Sequence, residues 1–433
     1  MKIKSAFRLT ALVLALALTA LSLGSCIIID DGSGVNMEDY ISKAELDAYL
    51  AGKLVGNVTV EGGDNYDVNI TLDGSEKNLA AAAKALLSSV SVFCTFETEV
   101  EGAWGAPNTV KKLSTAGSGV IYKMDKENGD AYVITNYHVV YNKQSNDPQG
   151  IAKEILLLLY GKESGEYAIP ATYIGGSMEY DLALLKVSGS RVLAESQAMA
   201  ATLANSGDLS VLDTAIAIGN PEGGGISATV GHVNVDSEYI DMTGADGASA
   251  IQLRVIRTDA AVNSGNSGGG LFNDKGELIG IVNAKMATSS VDNIGYAIPS
   301  NVAKYISDNI LHYHKTLNKD RVNVYKCLMG VTVTAAESYT EYDPESGRVF
   351  KRERVEIATV EDGAAATGYL AVGDRINSIT VDGFKTEVDR IYKVVDSMLN
   401  ARVGSTVTVN VTRNGQVIDV TVPIASSNVT IVK

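Results

Sequence analysis

The chain of 433 residues contains only three cysteines, seven prolines and four histidines. Cysteines at 26, 94 and 327 alone do not make a disulfide framework. Cys94 and Cys327 are expected as buried free thiols, with a bridge between them as the alternative. No Cys-x-x-Cys, His-Glu-x-x-His or Gly-x-x-x-x-Gly-Lys pattern occurs, so no metal or cofactor is expected. Positive charge is scarce: 36 Lys and Arg against 51 Asp and Glu leave a net charge of -15 and a pI of about 4.8. Such a surface repels a phosphate backbone, so nucleic acid is not an expected partner. A run of membrane-spanning length is also missing. The apolar stretch at 9–23 falls short of the roughly 20 residues a spanning helix requires.

That stretch follows Lys2, Lys4 and Arg8, and it ends in Leu23-Gly24-Ser25-Cys26. A basic start, an apolar middle and small residues before the end fit an export signal over 1–25. The last four residues resemble a bacterial lipobox, which implies lipidation of Cys26 and attachment to the extracytoplasmic side of a membrane. Residues 26–79 read as a tether and a segment with no assignable role. Within it, 37–50 has helical spacing and 54–72 alternates like a hairpin.

The chain is rich in glycine, with 42, and in Val/Thr/Ile runs, which favours strands joined by tight turns. Residues 78–89 read as an alanine-rich helix leading into a strand at 90–96. Short strands are then expected at 118–123, 131–135, 155–160, 182–187, 214–218, 251–257 and 278–283, and a closing helix at 302–312. Many short strands without long intervening helices predict a barrel or sandwich. After a linker near 317–320, a second unit carries strands at 330–333, 356–360, 374–381, 406–411 and 417–422. It also has a helical stretch near 388–399, and Asn414-Gly415 marks a hairpin.

Chemistry concentrates in Asn263-Ser264-Gly265-Asn266-Ser267-Gly268-Gly269-Gly270. Closely spaced glycines let a turn present Ser267 and leave its surroundings open to substrate. A serine becomes a nucleophile only when a base removes its proton. Of the four histidines, His232, His312 and His314 read as surface or core residues. His138 stands just past a strand end, in Thr135-Asn136-Tyr137-His138-Val139-Val140. Asp181 opens the apolar strand Leu182-Ala183-Leu184-Leu185-Lys186-Val187, where a half-buried carboxylate could orient an imidazole. The order His, Asp, Ser along the chain is that of chymotrypsin-like proteases.

These segments, with Gly117-Ser118-Gly119-Val120, Ala217-Ile218-Gly219-Asn220-Pro221 and Asn293-Ile294-Gly295-Tyr296-Ala297-Ile298-Pro299, resemble the HtrA/Deg-type proteases over roughly 80–422. The resemblance implies a mainly β architecture: a chymotrypsin-like double-barrel serine protease domain (80–315) followed by one α+β PDZ domain (321–425). It implies an ATP-independent endopeptidase, usually a trimer, that degrades misfolded or damaged exported proteins. His138 would be the base, Asp181 its orienting acid and Ser267 the nucleophile. The N–H groups of Gly265 and Ser267 would form the oxyanion hole. Val262 and Met286 would line an apolar specificity pocket, which implies small or medium aliphatic residues before the cleaved bond. Ser264 and Gly270 depart from the family's usual residues in the nucleophile loop. Leu328, Met329, Gly330 and Val331 match the loop by which PDZ domains hold the C-terminal carboxylate of a peptide. A chaperone-like or dedicated substrate-processing lipoprotein with little general proteolysis is the alternative reading.

Overall fold

The computed structural model describes residues 77–100, 109–162, 165–284 and 294–432. Cys26, Met286, the expected helix at 37–50 and the hairpin at 54–72 lie outside them. Five helices occur among the described residues: α1 (Lys77–Leu86), α2 (Tyr137–Val140), α3 (Arg191–Ala194), α4 (Ser300–Leu317) and α5 (Ile391–Leu399). The remainder is mostly strand.

The first barrel consists of β1 (Ser89–Val100), β2 (Thr109–Asp125), β3 (Asp130–Thr135), β4 (Glu154–Leu159), β5 (Ile169–Ser177) and β6 (Leu182–Val187). Its strands run β5-β4-β1-β2-β3-β6, and β6 returns to pair with β5. The second comprises β7 (Thr214–Gly219), β8 (Ser227–Thr243), β9 (Ala250–Thr258), β10 (Gly270–Phe272), β11 (Leu278–Val282) and β12 (Gly295–Pro299), closed in the order β10-β11-β12-β9-β8-β7. The expected double barrel is therefore present.

Several strands read as continuous apolar runs because their two faces serve two different cores. On β6, Ala183 and Leu185 point into the first barrel, while Leu182 and Leu184 join the layer between the barrels. On β7, Ala215 and Ala217 fill the second barrel, and Ile216 and Ile218 face that same layer. The alternation of a strand is intact; what is lost is a wet side. Each fully buried Leu or Ile contributes about 1.5–3 kcal/mol. Helix α4 covers the layer with Val302, Ala303, Ile306, Ile310 and Tyr313, the spacing of one helical face, and stops at Asn318 in a left-handed conformation (φ 48°).

The C-terminal domain follows β13 (Val322–Cys327). Its sheet holds β14 (Val331–Asp343), β15 (Arg348–Val360), β16 (Arg375–Val381), β18 (Thr406–Arg413) and β19 (Gln416–Pro423) in that order, with β17 (Phe384–Glu387) beside β16. Helix α5 packs Val394 and Met398 into its core. The Asn414-Gly415 pair forms the β18–β19 turn, with both residues at positive φ.

The expected linker is followed at once by a structural strand. β13 runs parallel to β5 of the first barrel, and the last strand, β20 (Val429–Val432), pairs with its other side. Residues on either side of the C-terminal domain thus extend the protease sheet. Three ion pairs cross the seam between the domains: Arg254–Asp396, Arg390–Asp236 (2.5 Å) and Arg348–Asp213. The Ser210 hydroxyl also donates to the Val349 carbonyl (2.9 Å). Arg254 and Arg390 both stack on the ring of Tyr392, a cation–π arrangement. Cys94 and Cys327 are buried and unbridged, and burial pushes the Cys94 thiol up to about 12, so it is unreactive.

Candidate active site

Strand β3 ends at Thr135, and the single turn α2 lifts His138 to the rim of the first barrel. The buried side chain of Asn136 donates through Nδ2 to the Asp181 carbonyl (2.9 Å), and the Tyr137 N–H donates to the same oxygen (3.1 Å). These bonds tie the His138 turn to the residue before β6. Asp181 itself adopts φ 47°, a left-handed conformation that aspartate tolerates better than most residues. The turn aims its carboxylate back at α2.

That carboxylate accepts three hydrogen bonds. Oδ1 takes the His138 N–H (3.0 Å); Oδ2 takes His138 Nδ1 (2.7 Å) and Asn283 Nδ2 (2.8 Å). A carboxylate oxygen can only accept, so the proton of a neutral His138 ring sits on Nδ1. Nε2 is then left as the basic nitrogen. Asp181 is 2% exposed, which keeps competing water away from this pair.

Ser267 comes from the loop between β9 and β10 of the second barrel and is held from three directions. Its carbonyl accepts the Ser118 N–H (2.8 Å) from β2 of the first barrel. The Ser118 hydroxyl donates to the Gly265 carbonyl (2.7 Å) and accepts the Asn220 N–H (2.7 Å) at the end of β7. Gly268 N–H and Val282 N–H bond the Val282 and Gly269 carbonyls, respectively, locking the loop to β11. Gly265 (φ 96°) and Gly268 (φ 85°) sit where side chains are strained, and a Cβ on Gly268 would lie 2.2 Å from the Ser118 carbonyl oxygen.

The Ser267 hydroxyl accepts the Ala284 N–H (3.2 Å), and among the described residues no hydrogen bond joins it to the His138 ring. The N–H groups of Gly265 and Ser267 donate to nothing among the described residues, although both residues are buried. Two unclaimed donors beside a hydroxyl can stabilise a developing oxyanion. Val262 is buried in the second barrel's core, whereas its expected companion in the specificity pocket, Met286, falls outside the described residues.

Two side chains that organise this cleft had no expected role. Ser118 bridges both barrels to the nucleophile loop, and Asn283 reaches Asp181 from the end of β11. The only sequence signal for Asn283 was a polar residue closing an otherwise apolar strand, Leu278-Ile279-Gly280-Ile281-Val282.

At the second candidate site, Gly330 has φ 72° and a Cβ there would lie 2.2 Å from that of Ala364. The Met329 and Gly330 carbonyls accept the Ala366 and Glu361 N–H groups, and the Leu328 N–H donates to Asn428. Among the described residues, the Met329 and Gly330 N–H groups have no acceptor. Leu328 is exposed, Met329 is buried in the domain core, and Val331 begins β14. A separate cavity of about 800 Å³ lies in the seam, lined by Tyr180, Arg254, Lys326, Val395 and Asp396 among others.

Comparison with known proteins places two domain families along the chain. Residues 117–281 match the trypsin-like peptidase domain, and residues 327–424 match the PDZ domain. The chain is 32% identical over 315 residues to the serine protease Do-like HtrA of Lactococcus lactis subsp. cremoris, an alignment covering 70% of this chain and 69% of that protein. Identity to the serine protease Do-like HtrA of Bacillus subtilis is 32% over 307 residues, 70% of this chain and 62% of the relative. The periplasmic serine endoprotease DegP of Escherichia coli is 30% identical over 324 residues, 73% of this chain and 58% of its own length.

Proposed function

The chain belongs to the HtrA-type serine proteases, and from that premise we propose that it cleaves exported polypeptides with Ser267 as nucleophile, His138 as base and Asp181 as the acid that orients it. The observation that carries this reading is the doubly bonded His138–Asp181 pair, which leaves Nε2 as the ring's free acceptor, with the adjacent residues Asn283 and Ala284 bonding Asp181 and the Ser267 hydroxyl. In the resting arrangement the Ser267 hydroxyl leans on Ala284. Turnover therefore begins with its rotation toward Nε2.

Ser267 Oγ then bonds to the scissile carbonyl carbon as its proton passes to Nε2, and the carbonyl electrons become an oxyanion facing the Gly265 and Ser267 N–H groups. Collapse breaks the C–N bond, and the departing amine takes the proton from Nε2. Water, deprotonated by the same nitrogen, hydrolyses the ester and returns Ser267. Asp181 remains ionised throughout and steadies the imidazolium.

The finer reading follows the family resemblance. The substrates are misfolded or damaged exported proteins, degraded without ATP by a trimer, with small or medium aliphatic residues before the cleaved bond. Leu328, Met329, Gly330 and Val331 hold the terminal carboxylate of a bound C-terminal peptide, supported by the Met329 and Gly330 amides, which lack acceptors among the described residues. Cys26 carries the lipid that keeps the enzyme at the outer side of the membrane; among the described residues no helix is long and apolar enough to cross one.

Degradation of unfolded casein tests the central claim. Ser267→Ala is expected to lower the rate by about 10⁴-fold or more and to abolish labelling by a serine-directed phosphonate. Undiminished cleavage by Ser267→Ala would overturn the assignment.

A further inference from the structure

The turn that carries Asp181 is gripped from two sides. One grip, from the His138 turn, belongs to the site described above; the other comes from outside both barrels. Ser177 pairs with Leu182, so residues 178–181 make up the whole connection between β5 and β6, and its last residue is the left-handed Asp181. Within this connection the Asp181 N–H donates to the Met178 carbonyl (3.2 Å). A residue other than glycine keeps such a conformation only where its surroundings hold it.

Strand β13 supplies that hold. It lies parallel to the end of β5, with Val322 opposite Gly175 and Asn323 opposite Gly176. The close fit needs both glycines. A Cβ on Gly175 would lie 2.6 Å from the Val322 carbonyl oxygen, and one on Gly176 would lie 2.9 Å from the ring of Tyr137, the neighbour of His138. Further along β13, Lys326 reaches the connection itself. Its Nζ lies 3.7 Å from the Glu179 carboxylate and 5.7 Å from the centre of the Tyr180 ring, a cation–π contact. Glu179 and Tyr180 are the two residues immediately before Asp181.

β13 is fixed in its turn by segments remote from the cleft. The Asn309 side chain on α4 bonds both backbone groups of Tyr325: Nδ2 donates to the carbonyl (2.8 Å) and Oδ1 accepts the N–H (3.0 Å). On the side away from β5, β20 pairs with residues 324–327 and sets Thr430 across from Lys326. Lys326 and β20 both lie outside residues 327–424, which match the PDZ domain, and neither β13 nor β20 belongs to that domain's own sheet.

We propose that Lys326 is a positioning residue for Asp181, and that the C-terminal strand β20 keeps it in place. The inference rests on the reading of Asp181 as the acid that orients His138. A partly exposed ion pair adds little to folding stability. What it decides here is where the turn sits. Loss of Lys326 therefore slows the chemical step and leaves the fold and substrate binding as they were.

The test uses the full chain and unfolded casein, counting only the cleavage that Ser267→Ala abolishes. Lys326→Met is expected to lower kcat about 5- to 10-fold, with KM and the thermal midpoint unchanged. Lys326→Arg, which keeps a cation between Glu179 and Tyr180, should restore most of the rate. Lys326→Glu should be at least as slow as Lys326→Met, and the charge exchange Lys326→Glu/Glu179→Lys should recover. In proton NMR, the low-field signal of the His138 Nδ1 proton shared with Asp181 should move upfield in Lys326→Met and return in Lys326→Arg. Deleting residues 429–433 should reproduce the slow rate; if that chain does not fold, the Lys326 series decides. Full rate and an unmoved Nδ1 signal in Lys326→Met overturn the inference and leave the triad standing. A loss of rate that tracks a lower thermal midpoint and is not recovered by Lys326→Arg overturns it as well, since Lys326 would then serve only the fold. Truncation that folds and cleaves at full rate overturns the role given to β20. Casein cleavage that survives Ser267→Ala removes the triad reading, and the positioning role falls with it.

Discussion

The cleft between the barrels and the seam between the two domains are both rich in polar contacts, but the contacts differ in kind. In the cleft most bonds have a backbone atom as one partner: Ser118 Oγ with the Gly265 carbonyl, Asn136 Nδ2 with the Asp181 carbonyl, the Ala284 N–H with Ser267 Oγ, and the Gly268 N–H with the Val282 carbonyl. Strands hold those atoms in place, so the reacting groups have little freedom. In the seam, long charged side chains meet across the gap, as Arg254 meets Asp396 and Arg390 meets Asp236. Their strength depends on burial and charge more than on fixed geometry. The first design sets positions to fractions of an ångström; the second joins two bodies by forces that charge can alter.

That contrast can be broken most forcefully at the seam. Arg254→Leu leaves the buried Asp396 carboxylate without its partner and should cost about 3–5 kcal/mol in urea unfolding. The double variant Arg254→Leu/Asp396→Leu should recover most of the loss. If the single variant unfolds like wild type, the seam pair is not holding the domains together. A smaller effect, of opposite character, is expected in the cleft. Asn283→Ala removes a hydrogen bond to the ionised Asp181, a contact of about 1.5–3 kcal/mol. The expected outcome is a 10- to 100-fold lower kcat with KM little changed, partly restored by Asn283→Ser, which keeps a donor. A rise in KM at constant kcat would mean that Asn283 serves substrate binding instead.

The smallest difference is in response to acid. Asp147 anchors the linker residue Arg321 through both carboxylate oxygens (2.9 and 2.7 Å). Burial pulls its pKa upward, but Arg321 and the N–H groups of Gln149 and Ile151 win and hold it below the usual carboxylate range. A lowered folded pKa means that this contribution is complete above the unfolded value of about 3.9 and fades as pH falls through the folded one. With Asp147 partly exposed, it should amount to less than about 1 kcal/mol. Asp147→Asn should flatten the decline of the thermal midpoint below pH 4. An unchanged slope would place the acid-sensitive group elsewhere.

Much of this was legible from residue order. Glycines around Ser267, a histidine after β3 and an aspartate before β6 stood out because a turn, a strand end and a buried acid each leave a local mark. Asn283 and Ser118 left none that named their partners, since Asp181 lies 102 positions from Asn283 and Gly265 lies 147 from Ser118. β14 was expected only over its first few residues. Its outer half is stabilised by Glu–Arg pairs across to β15 and lacks the apolar alternation by which strands are recognised. β13 falls inside the span expected for the second domain, yet it pairs with β5 and β20, a pairing that depends on segments far away in the chain.

By itself, then, the order of residues determined where strands, turns and the reactive serine fall, because backbone preference and hydrophobic spacing act over a few neighbouring positions. Which apolar face entered which of two cores was decided only by tertiary packing. So were the side chain that steadies Asp181 and the strand that lies against its turn. These depend on contacts between distant segments, whose geometry exists only once the chain has closed on itself.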